Sequence, residues 1–122
     1  MTTKAGAIYN FLSGFGIPAY PSTSVPDDAQ LPYITYDFID GAYGDVVHML
    51  VNMWFRTFSE KVPNDKVQEL SDAIGANGVM LTCDQGAMRV YRGTPFAQVA
   101  RDPDDTIKRR YINIDVMYLT EN

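Results

Sequence analysis

From Arg109 to Leu119 the chain alternates polar and apolar residues with a period of two, Arg-Arg-Tyr-Ile-Asn-Ile-Asp-Val-Met-Tyr-Leu. That period predicts a strand with Ile112, Ile114, Val116 and Tyr118 on one face and Arg109, Asn113 and Asp115 on the other. Val46 to Phe58 repeats the pattern at greater length: Val47, Met49, Val51, Met53 and Phe55 share one side, and Leu50 and Trp54 add apolar bulk to the other. Leu31 to Ile39 is a third strand, with Ile34, Tyr36 and Phe38 in register, joined to the second by the turn residues Asp40 to Asp45. Shorter strands are expected around 79–83, 87–92 and 96–101, broken at Asp84-Gln85-Gly86 and at Gly93-Thr94-Pro95.

Two segments carry the helical period instead. In residues 2–15, Ile8, Phe11, Leu12 and Phe15 fall at i, i+3, i+4 and i+7, with Thr2 or Thr3 as cap and Gly14 and Gly16 as stops. Pro63 to Ile74 buries Val67, Leu70, Ala73 and Ile74, starts on a proline and ends at Gly75. Between the first helix and the first long strand, Pro18, Pro21 and Pro26 allow an extended connection with at most a short edge strand. The sum is one α+β domain over residues 1–122: a mostly antiparallel, roughly five-stranded sheet with two helices packed on it.

Composition narrows the chemistry. A hydrophobic fraction of 46% and a charged fraction of 20% are those of a globular chain. No run approaches the roughly 20 apolar residues of a membrane helix, and the start of the chain lacks a signal core, which points to residence in a cytoplasm. The single cysteine, Cys83, has no internal partner and reads as a packed thiol. A net charge of −5 argues against gripping nucleic acid through its phosphates, and equally suits a surface that DNA slides past.

No reaction announces itself. His48 is the lone histidine, mid-strand and without a triad around it. Asp102, Asp104 and Asp105 could converge on calcium, but Ile107 stands where an EF-hand loop needs glycine and Asn113 where it needs glutamate, so they read as turn formers. Gly14-Phe15-Gly16 lacks the third glycine and the preceding strand of a dinucleotide fingerprint. Neither metal nor cofactor is expected. Lys108-Arg109-Arg110, directly after the acidic turn, has two readings: a solvated strand end, or a rim that pairs with opposite charge on a neighbouring subunit. Tyr33, Tyr43, Tyr91 and Tyr111 lie off the core faces, as interface residues do, although cross-strand pairing also accounts for such tyrosines.

The order of segments resembles a known family. Leu31-Pro32-Tyr33-Ile34-Thr35-Tyr36, Met53-Trp54-Phe55-Arg56-Thr57, Arg92-Gly93-Thr94-Pro95-Phe96 and Arg109-Arg110-Tyr111-Ile112-Asn113-Ile114 resemble segments of the small tail terminator, or tail completion, proteins of long-tailed bacteriophages and prophages. The resemblance implies a structural, non-enzymatic virion protein, a subunit of a ring, commonly a hexamer, at the head-proximal end of the tail tube. Such a ring stops tube polymerisation, touches the major tail tube protein and the head connector proteins, lets genomic DNA through, and is assembled in the host bacterial cytoplasm. Neck connector or stopper proteins are similar, and a small ligand-binding or enzymatic α+β domain is the alternative of another class. The family transfers no functional residue. On physical grounds the candidate subunit contacts are Asp102, Asp104, Asp105, Arg109 and Arg110, with Tyr43 and Trp54 as apolar anchors.

Overall fold

The computed structural model describes residues 2–122. Thr3 opens the first helix, α1 (Lys4–Leu12), by accepting the Gly6 N–H on its hydroxyl at 3.0 Å, and a 3₁₀ turn at Ser13–Phe15 leads to Gly16, whose positive φ ends it. Ala7, Ile8 and Leu12 form its buried stripe. The strands are β1 (Ala19–Pro21), β2 (Tyr33–Tyr36), β3 (Val46–Arg56), β4 (Val79–Cys83), β5 (Gly86–Ala100) and β6 (Ile107–Thr120), and α2 (Lys61–Ile74) lies between β3 and β4. They form one six-stranded sheet in the order β1-β2-β3-β6-β5-β4, antiparallel except for the β1–β2 pair.

The α+β architecture is the expected one, with six strands rather than roughly five; the short edge strand allowed in the first connection is present, and one expected break is not. Pro18 and Pro21 limit the first connection but leave room for β1, which pairs with β2 at the sheet's edge. The expected break at Gly93-Thr94-Pro95 is an irregularity inside one strand: β5 pairs with β6 up to Arg92 and again from Ala97, and residues 93–96 between them carry a register shift opposite Asn113. Gly93 sits in that irregularity because a side chain there would meet the Asn113 backbone at 2.8 Å. Further, α2 begins at Lys61, two residues ahead of Pro63, whose missing N–H falls in the first turn where helical donors lack partners anyway.

Both helices cover the same face of the sheet. Met49, Val51, Met53 and Phe55 of β3, Met88 and Val90 of β5 and Ile112, Ile114, Val116 and Tyr118 of β6 pack with Ile8 and Leu12 of α1 and Leu70 and Ile74 of α2 in one core. Polar contacts fix the same geometry: Arg92 donates to Ser71 Oγ of α2 at 2.9 Å, and Lys4 of α1 lies over the Tyr118 ring at 5.4 Å. The Tyr118 hydroxyl donates to the Ile39 carbonyl, and burial raises its pKa well above the ordinary phenol value. No helix is long and apolar enough to cross a membrane among the described residues.

Candidate subunit interface

With both helices on one side, the residues of opposite parity form an open sheet face. β3 contributes His48, Leu50, Asn52, Trp54 and Arg56 to it, and β6 contributes Arg109, Tyr111, Asn113, Asp115, Met117 and Leu119. Tyr33 and Thr35 of β2, Arg89 and Tyr91 of β5 and Met80 of β4 extend it sideways. None of the chain's lysines or glutamates lies on these strand positions, and Arg56, Arg89 and Arg109 outnumber the single carboxylate Asp115. Aromatic residues, methionine and arginine with little lysine or glutamate is the composition of the centre of a protein interface rather than of a solvated surface.

At one end of this face Trp54 and Arg109 form a prebuilt unit. They sit opposite each other on β3 and β6, and the guanidinium lies 4.7 Å from the centre of the indole ring. The ring is held from the other side by its Nε1–H, which donates to Thr35 Oγ1 at 3.0 Å, and Arg109 Nε donates to Asn52 Oδ1 at 2.9 Å. Both side chains therefore present fixed rotamers, which lowers the entropy lost if a partner docks on them. Further along, Tyr20 meets Tyr33 edge to face at 5.8 Å, Arg89 lies 5.8 Å from the centre of the Tyr91 ring, and His48 bonds the Asp115 carboxylate across the β3–β6 ladder.

The other expected contact residues are placed differently. Arg110 is corrected outright: it is 2% exposed and belongs to the core face, one step before Ile112. Its Nη2 donates to Glu60 Oε2 at 2.6 Å and to Asn64 Oδ1 at 3.0 Å, tying the base of β6 to the start of α2. That bond from Arg110 holds the Glu60 carboxyl below its ordinary pKa, despite some desolvation. With Glu60 so engaged, Ser59 Oγ accepts the Lys61 N–H at 3.1 Å.

The acidic turn and the basic run do not pair as a unit. Asp102 Oδ1 accepts the Asp104 N–H at 2.9 Å, and Asp104 Oδ1 accepts both the N–H and the hydroxyl of Thr106, so these carboxylates build the turn as their residue type favours. The Thr106 bonds lower the Asp104 pKa. Asp105 is exposed, and Lys108 Nζ donates to its carbonyl rather than its carboxylate, at 2.9 Å. Between this turn and Glu60 lies a depression of ≈ 260 Å³ bordered by Val99, Asp102 and Lys108. Tyr43 is 72% exposed in the loop packed against the far end of β6, where Gly44 N–H donates to the Tyr118 carbonyl at 2.7 Å. At about 3.3 Å per residue that is roughly 30 Å from Trp54, so the two expected anchors do not share one site.

Phe58 and Val99, which no sequence pattern marks as contacts, are 78% and 67% exposed near the same end of the sheet as Trp54. Val99 stands opposite Arg110 on the helix side, beyond the reach of the core. Among the described residues no three His, Cys, Asp or Glu side chains converge as a metal site would require. No family model, curated protein or solved structure matches the chain.

Proposed function

We propose that this chain is a tail terminator subunit, which assembles head to tail into a ring on the head-proximal end of a phage tail tube. The observation that carries the reading is the open sheet face. A domain that covers one sheet face with both helices, and leaves the other lined by Trp54, Arg109, Tyr111, Tyr91 and Met117, has a ready surface for a protein neighbour. Contacts between unlike surfaces of identical copies close into a ring when the rotation between them allows it. The ring stops the tube by covering its growing end and offers its far side to the head connector.

The charge balance supports the same reading. A chain of net −5 holds DNA weakly, which suits a pore that genomic DNA passes through without specific binding. The proposed site of action is the virion tail, reached by assembly in the bacterial cytoplasm. Electron microscopy of particles from a phage or prophage deleted for this gene tests the assignment. Tails of uncontrolled length, detached from heads, are expected; complete virions with tails of normal length would refute it.

A further inference from the structure

The strand β4 closes one edge of the sheet. It pairs with β5 alone, Cys83 opposite Gly86 across the Asp84-Gln85 turn, and Leu81 opposite Met88. In a two-residue hairpin the closing pair exchanges both ladder bonds, so Cys83, Leu81 and Val79 bond inward and Met80 and Thr82 turn their N–H and C=O groups outward. Asp84, the next residue of that parity, donates its N–H to the Thr2 carbonyl at 2.6 Å. Among the described residues no hydrogen bond engages the outward groups of Met80 and Thr82.

Edges of this kind are normally blunted by charge, proline or brevity. The opposite edge, β1, is three residues long and ends on Pro21. By contrast β4 reads Val-Met-Leu-Thr-Cys, with no charge and no proline, and Met80 is 44% exposed. Beside it runs an open groove of ≈ 430 Å³ between β4 and α1, lined on its apolar side by Ala7, Phe11 and Leu81.

We propose that β4 pairs with β4 of a second copy, antiparallel about a two-fold axis through Leu81. The outward groups are self-complementary in that register alone: Met80 faces Thr82 of the other copy and Thr82 faces its Met80, each pair exchanging both ladder bonds. Leu81 then meets its own copy on the helix side, and each enters the groove under the other's α1. The two sheets become one, with both open faces on the same side. In a cyclic ring every contact joins unlike surfaces, so this pairing belongs to free copies and stands or falls separately from the terminator reading.

Thr82→Pro removes an outward N–H and leaves the β5 ladder intact, because Thr82 does not donate to β5. The expected result is that the wild-type chain sediments as a dimer, and Thr82→Pro at half that mass with an unchanged circular dichroism spectrum. In a Cys83→Ser background, Leu81→Cys should oxidise to a disulfide-linked dimer, since residues facing across a non-hydrogen-bonded position are close enough for a disulfide. Met80→Cys, which faces Thr82 instead of itself, should not. A wild-type monomer that Leu81→Cys fails to cross-link, a dimer that survives Thr82→Pro, or equal cross-linking of both cysteine variants would each overturn the proposal.

Discussion

Arg110 is an internal tie between β6 and α2, and its substitutions should rank by how well they fill its buried site. Truncation to alanine removes the two methylenes beyond Cβ, about 1.6 kcal/mol at roughly 0.8 per buried group. It also opens a cavity among Met53, Val99 and the start of α2, and such cavities bring large-to-small changes to about 2–4 kcal/mol in all. Methionine restores most of that volume without a charge. Glu60 and Asn64, both exposed, can then turn to water, so Arg110→Met should lie within about 1 kcal/mol of wild type, because the carboxylate it leaves unpaired is solvated rather than buried. Arg110→Glu, facing Glu60 from a buried site, should be the worst of the three. Urea unfolding followed by circular dichroism reads the series: with a slope of about 2 kcal/mol per molar, the alanine variant's midpoint should fall by about 1–2 M. Arg110→Met losing as much as Arg110→Ala would show that the polar network, not the filled volume, holds this corner. Wild-type stability of Arg110→Ala would refute the packing argument altogether.

Gly86 starts β5 with a positive φ, and a side chain there would strike the Leu119 carbonyl oxygen, so Gly86→Ala should cost more than about 2 kcal/mol in thermal unfolding, whereas Gly14→Ala, with open space, should cost little. Acid should unfold the chain in part through Glu60 and Asp40, each depressed in the folded state, Glu60 by its bond from Arg110 and Asp40 by its bond from Lys4. Their contribution is complete above the ordinary values of 4.5 and 3.8 and is lost as pH falls through the lower folded values. Urea midpoints measured from pH 6 to pH 2 should therefore drop less steeply for Glu60→Gln than for wild type; parallel curves would contradict the linkage. Burial raises the Cys83 pKa, so a thiol reagent at pH 8 should label native protein more slowly than unfolded protein, and equal rates would count against a packed thiol.

The fold was legible because period-two strands and capped helices leave their signatures in short windows. β3 shows this best: Met49, Val51, Met53 and Phe55 are the buried row its alternation predicts, with Leu50 and Trp54 half-buried behind them. The same rule, continued two residues back from Ile112, places Arg110 in the core row, yet its charge suggested the surface. A buried arginine is decided by a distant partner, here Glu60 on α2, and no local pattern announces that pairing. The interface candidates were half legible for a related reason. Trp54 and Arg109 stand out singly in the sequence, but their stacking depends on the β3–β6 register, and the emptiness of the face they share depends on both helices choosing the other side. Nothing in the sequence indicated that Phe58 and Val99 would be left uncovered, since strand and turn residues of that type are buried in other contexts.

Trp54 is the only tryptophan, and it lies on the proposed assembly surface. Its emission, recorded with acrylamide quenching while the oligomer is followed by light scattering in the presence of tail tubes, reads that surface directly. Assembly through the open face predicts a blue shift and a loss of quenching that track the rise in mass. A ring that forms on the tube while Trp54 stays as accessible to acrylamide as in the free subunit would contradict the account.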